Sequence, residues 1–261
     1  DKGVIVAATN TPANISTGAF SLQRPDGKFL LAVGNSSTAT YVYDSKTDSY
    51  TTGPTFTSAI GSGAHAFQRP DGKFLVVIGN SGAITNIYDP VANTLIAGPS
   101  LTNNAAAGSN SIQRPDGKFL IYHGGAQTTD IYDPITNTLS RGPSLGATIG
   151  YGSLSIPRPD GKFFVTPGGS AGPSYTYDPV ANTFVSNGYS VATDYGATAI
   201  QRQDGQWYIL LGGTPSTAIQ YNPFSNTYIS APGGAYTNVY YGNHAVQRPD
   251  GKFAVFANSA M

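Results

Sequence analysis

Apolar residues in this chain come in short runs of four to six, separated by glycine, proline, asparagine and aspartate. Lys73 to Ile78 (Lys-Phe-Leu-Val-Val-Ile) holds one such run, apolar after its lysine and rich in β-branched residues. Gly63 to Gln68 precedes it, and Pro70-Asp71-Gly72 lies between the two. Proline presets φ, aspartate bonds its local backbone and glycine takes φ > 0, so this tripeptide predicts a hairpin turn. Gly79-Asn80-Ser81-Gly82 predicts the next turn, and Thr85 to Tyr88 a third strand. That strand stops at Asp89-Pro90, because proline cannot donate to a ladder. Thr94 to Ala97 predicts a fourth strand, ended by Gly98-Pro99-Ser100. No stretch sustains the three-and-four spacing of an amphipathic helix, so almost no helix is expected.

The whole unit recurs. Gln68 to Phe74 (Gln-Arg-Pro-Asp-Gly-Lys-Phe) is repeated without change from Gln23, Gln113 and Gln247. It is altered at one residue from Pro157 and more heavily from Gln201. The copies start 45, 45, 44, 44 and 46 residues apart, a period that signals a repeat architecture. Four short strands in each of six repeats predict an all-β, six-bladed β-propeller of four-stranded blades. Residues 1–261 then form a single domain, although length alone would allow two. Residues 1–17 are expected to be a closing strand and linker. The strand is Gly3, Val4, Ile5, Val6, Ala7 and Ala8, in the place that a fourth strand takes in the other repeats. The last blade is expected to be incomplete. Its closing strand comes from the chain's own N-terminal segment or from a neighbouring copy, since open sheet edges are usually covered. Small residues before each hairpin, such as Gly61-Ser62-Gly63-Ala64, suit inner strands that crowd together.

These residues resemble the kelch-type propeller family, the repeat found also in galactose-oxidase-like propellers. The resemblance is carried by the Asp-Gly-Lys hairpin and by diglycine at Gly124-Gly125, Gly168-Gly169 and Gly212-Gly213. Tyr-Asp at Tyr43-Asp44, Tyr88-Asp89, Tyr132-Asp133 and Tyr177-Asp178 adds to it, as does Asn-Thr before the fourth strand. The family's tryptophan in that strand is replaced by Tyr50, Leu95, Leu139, Phe184 and Tyr228. The resemblance implies the propeller fold over nearly the whole chain. For function it leaves oxidases, sugar isomerases and pure binding scaffolds open. The family's copper oxidases use a cysteine cross-linked to tyrosine with histidine ligands, and this chain has no cysteine. Its isomerases use acid and base groups, and this chain has no glutamate.

Charge is balanced at 14 against 14, so no polyelectrolyte partner is implied. Seventeen of the 28 charged residues lie in the six hairpin motifs and four more in the Tyr-Asp pairs. A repeated charge is most simply a repeated structural device, here an Arg/Asp ladder at the hairpins. Outside the repeat stand Asp1, Lys2, Lys46, Asp48, Asp130, Arg141 and Asp194. No basic stripe suggests nucleic acid, and no apolar run suggests a membrane span. Phe29, Phe74, Phe119, Phe163, Trp207 and Phe253 share one slot and are expected to be core.

His65 and His244 share a first-strand slot, and His123 precedes Gly124-Gly125. None has a second histidine at ligand spacing, so neither a metal nor a cofactor is expected. The loops before the first strands are not equivalent. Later ones gather Tyr151, Tyr189, Asp194 and Tyr195, then Tyr236, Asn238, Tyr240 and Tyr241. Such a face suits a protein or glycan partner, or else tyrosines that fill gaps between blades. Asn14 and Asn35 begin glycosylation sequons. The start at Asp1 suggests a processed, extracellular chain. The expectation is a non-catalytic extracellular structural protein, a surface or filament subunit assembling with copies of itself through strand complementation and loop contacts. The alternative is a carbohydrate-binding propeller.

Overall fold

The structure, a computed structural model, describes residues 9–169, 172–213 and 217–230, together with the strands 244–247 and 253–256. Every element among them is a β-strand. Five sheets have four antiparallel strands each, in sequence order across the sheet, and His244–Gln247 pairs with Phe253–Phe256 in a two-stranded sheet. The expected strand at Gly3 to Ala8 lies outside the described residues.

The second repeat shows why each strand forms. His65–Gln68 pairs with Phe74–Val77 around the Pro-Asp-Gly turn. Arg69 N–H donates to the Lys73 carbonyl at 2.7 Å, and the Asp71 carboxylate accepts from Lys73 N–H. Gly72 sits at φ 80° with no atom near its missing side chain. Phe74–Val77 is buried at all four positions, because both faces of this inner strand are covered. It pairs next with Thr85–Asp89, which pairs with Thr94–Ala97. Between those last two strands, Asp89 Oδ1 accepts the N–H groups of Val91 and Ala92, both at 3.0 Å. The turn ends at Asn93 with φ 55°, and Asn137, Asn182 and Asn226 hold the same left-handed conformation. A short polar side chain tolerates this conformation, which explains why asparagine recurs here, with Asp48 at φ 48° in the first repeat.

The chain divides into two compact units, Asp1–Ala107 with Asp133–Leu139, and Gly108–Tyr132 with Ser140–Met261. In the first, the core between the first and second sheets contains Leu30, Val42, Phe56, Ile60, Val76 and Tyr88. In the second, Leu120, Tyr122, Val165 and Tyr177 form one cluster, and Phe164, Ile209, Ile219 and Tyr221 another. The recurring hairpin aromatics pack on the tyrosines of third strands: Phe74 on Tyr88, Phe163 on Tyr177. The side chain at 253 lies outside the description.

The hairpin ladder is present as Arg24–Asp26, Arg69–Asp71, Arg114–Asp116, Arg158–Asp160 and Arg202–Asp204, at 2.9–3.1 Å. The arginines also reach forward. Arg24 donates to Tyr88 Oη and Asn93 Oδ1 of the next repeat. Arg69 donates to Asn137 Oδ1, and Arg114 to Tyr177 Oη and Asn182 Oδ1. The lysines tie hairpin to third strand within one repeat, as in Lys28–Asp44, Lys73–Asp89 and Lys162–Asp178.

Candidate functional site

A tight turn precedes the first strand of each of the first five repeats, with glycine in its second half: Gly18, Gly63, Gly108, Gly152 and Gly196, at φ 73° to 89°. In four of them an N–H closes the turn onto the residue two before the glycine, as Ala64 does on Gly61 and Ser153 on Gly150. That geometry requires positive φ at the glycine. A second reason for glycine is contact between successive turns. A Cβ on Gly18 would lie 2.2 Å from the Gly61 carbonyl oxygen, one on Gly63 1.9 Å from that of Ala106. In the second unit, a Cβ on Gly108 would lie 2.1 Å from the Gly150 carbonyl oxygen and one on Gly152 2.1 Å from that of Asp194. Consecutive turns therefore abut backbone to backbone.

The residue before the turn glycine is Thr17, Ser62 and Ala107 in the first three repeats, then Tyr151 and Tyr195. Because the Gly152 and Asp194 backbones touch, the two tyrosine rings are forced together. Their centroids lie 3.8 Å apart with the planes inclined by 33°. Asp194 takes a slot filled by Ser16, Gly61, Ala106 and Gly150 elsewhere. Its Oδ1 accepts from Tyr195 N–H at 2.7 Å, and its Oδ2 faces the backbone of Gly213. Tyr151 is exposed. The second shoulder is also glycine: Gly168 and Gly212 press on the carbonyls of Tyr151 and Tyr195, which accept from Gly169 and Gly213 N–H. The group combines a flat apolar pair, phenolic hydroxyls and a carboxylate on a rigid backbone. It suits stacking and hydrogen bonding, and it holds no nucleophile–base pair.

Tyr151, Asp194 and Tyr195 are thus brought together, whereas Tyr189 is not. It lies in the outer strand Thr183–Ser190, near Phe164 and Tyr228, and its hydroxyl donates to the Asn226 carbonyl at 3.2 Å. Burial raises its pKa. Tyr236, Asn238, Tyr240 and Tyr241 lie outside the described residues. Asn14 is exposed, and Asn35 is an exposed turn residue at φ 55°.

His123 has a partner that spacing along the chain does not show. Its Nε2 is 3.1 Å from Asp130 Oδ2 and its Nδ1 2.9 Å from Thr128 Oγ1, with imidazole and carboxylate both fully buried. The corresponding pairs elsewhere are Val33 with Tyr41, Ile78 with Asn86, Pro167 with Tyr175 and Leu211 with Ile219. The signal was a histidine and an aspartate appearing together in slots that the other described repeats fill with uncharged residues. Closed from solvent, the pair serves packing. His65 turns Nδ1 to the Gly63 carbonyl at 2.9 Å, while its Nε2 is buried without a partner. Among the described residues no three metal-ligating side chains gather. No helix among them is long and apolar enough to cross a membrane.

No family model and no curated protein matches the chain. Solved structures do. A fungal alcohol oxidase of the AA5 family, in complex with copper, superposes with a TM-score of 0.64 at 18% identity. The match covers 90% of this chain and 57% of the oxidase. Hydrazine synthase of Kuenenia stuttgartiensis superposes with a TM-score of 0.62 at 15% identity, over 97% of this chain and 77% of that one. At these identities the likeness is one of fold. The fold is propeller-like, consistent with the kelch-type resemblance.

Proposed function

We propose that this chain is a non-catalytic, extracellular structural and interaction module, a six-bladed propeller that takes its partners through the tyrosine-bearing turns. The observation that carries this reading is the Tyr151–Tyr195 pair beside Asp194. It occupies slots where the other described repeats have small residues, and the fold does not need aromatic rings there. Most of the other charged residues belong to the repeat itself. The partner favoured is another copy of the chain, which makes the protein a surface or filament subunit. Six repeats closing on themselves are supported by the arginine series. In the first repeat Tyr43 Oη donates to Asp48 where the others have asparagine, and the sequence carries a sixth hairpin arginine at 248.

The test is Tyr151→Ala with Tyr195→Ala, read by light scattering and electron microscopy of the purified protein. Loss of assembly with an unchanged melting curve is expected. Assembly and binding that both persist would retire the reading. A carbohydrate-binding role is the second reading, favoured by Asp194 standing beside a flat aromatic surface. Isolated discs retained on a glycan array in a Tyr195-dependent way would establish it. The two solved structures named above are enzymes, one of them in complex with copper, so copper is a further check. One tightly bound Cu²⁺ per chain in calorimetry would overturn the non-catalytic reading.

A further inference from the structure

The fourth strand forms the outer edge of each four-stranded sheet. Proteins usually blunt such edges with lysine, proline or an inward charge. Thr94–Ala97, Thr183–Ser190 and Thr227–Ser230 contain none of these. In the second unit the edge Thr183–Ser190 presents Val185 to solvent, and Val180, in the turn before it, is 94% exposed. The next sheet adds exposed Phe224 and Ile229 at the same two slots. In the first unit the slots hold Val91, Ile96 and Ile135, with Val91 81% and Ile135 82% exposed. Single exposed apolar residues are ordinary. Here a valine, isoleucine or phenylalanine returns at one turn position in four consecutive repeats, and Lys46 stands there in the first. Packing within the chain does not require it, because these side chains are in water.

We infer that the segment Thr183–Ser186, with Val180 and Val185, pairs with the same edge of a second copy of this chain. Beyond Ser186 the strand is not available in the same way. Gly188 turns it at φ 74°, and the Ser190 carbonyl accepts from Tyr228 Oη at 3.3 Å. The occupant follows from the chemistry of the edge. A row of N–H and C=O groups is filled by another strand, and a neutral edge offers a charged partner nothing to complement. A second copy brings the same neutral strand and the same apolar side chains. Antiparallel pairing of one edge with itself gives the two-fold contact in which each copy uses an identical patch. The inference rests on the reading of the chain as an assembling scaffold, but it uses a surface other than the tyrosine turns.

The experiment is sedimentation velocity of the whole chain over a dilution series, for wild type, for Val180→Lys/Val185→Lys and for Tyr151→Ala/Tyr195→Ala. Wild type is expected to associate, and the lysine pair to weaken that association about tenfold or more. Val185→Thr keeps the β-branched shape and replaces the lysine pair if the latter does not fold. It is expected to weaken association in the same direction. A wild type that stays monomeric throughout, or association undiminished in both valine variants, overturns the inference. Association that survives the valine changes and is lost with the tyrosines leaves the tyrosine reading standing and removes this one.

Discussion

Arg114 Nη1 donates to Tyr177 Oη across 2.6 Å, and the two residues are 63 positions apart in the chain. The same guanidinium reaches Asn182 Oδ1 and the Pro179 carbonyl, both at 2.9 Å, while its other face holds Asp116. Tyr177→Phe removes the bond from Arg114 and the one its hydroxyl donates to Asn182 Oδ1, and is expected to cost about 1–2 kcal/mol. Arg114→Ala removes all of them, leaving Tyr177 Oη and Asn182 Oδ1 only their bond to each other and taking this donor from the Pro179 carbonyl, at about 2–4 kcal/mol. Arg114→Lys does not rescue it, because an ammonium cannot replace a planar fork of donors. Denaturant melts of the three variants check the order.

Two glycines with nearly the same φ separate backbone strain from contact. Gly117 lies at φ 80° with nothing within 4 Å of where a Cβ would be, and Gly108 at φ 89° with the Gly150 carbonyl oxygen 2.1 Å from that position. Gly117→Ala is expected to cost about 1–2 kcal/mol, the left-handed penalty alone. Gly108→Ala adds overpacking, about 1–3 kcal/mol more. Equal melting temperatures for the two variants would contradict the abutting turns.

His123 and Asp130 are expected to behave as a unit. His123→Ile leaves a carboxylate buried without its imidazole and costs about 3–5 kcal/mol. Adding Asp130→Asn reproduces the second repeat, where Ile78 stands with Asn86. Most of the loss should return, and a double-mutant cycle measures the coupling.

Acid sensitivity should have one source in His65. Burial lowers its pKa from 6.5 to about 4. The folded state therefore holds it neutral while the unfolded chain protonates it. Its contribution is complete above pH 6.5 and is lost as pH falls from there to about 4. Below that, both states are protonated and this loss stops growing. Melting temperature measured across the window should fall for wild type and fall less for His65→Phe.

The four-stranded sheets and their turns were legible because a near-constant period makes each turn confirm the others. Pro-Asp-Gly, Tyr-Asp and Asn-Thr each mark a backbone requirement, and each falls where the structure turns. What the letters did not show was reach. Arg24 reads as a hairpin residue bound to Asp26, and so it is, yet it also meets Tyr88 of the following repeat. A side chain with donors on two faces can serve both contacts, and period alone cannot reveal the second. The tyrosines were legible as an asymmetry but not as a cluster. Tyr151 and Tyr195 share a slot before glycine, whereas Tyr189 extends an outer strand and packs inward.

The forward reach of the arginines has a bearing on how the chain folds during synthesis. Arg24 emerges 64 residues before Tyr88, so its hairpin must wait for more than one further repeat before that bond can form. The first three sheets are thus each tied by the one that leaves the ribosome after it. Stability accrues one step behind translation, and a truncated chain is weakest at its most recent repeat.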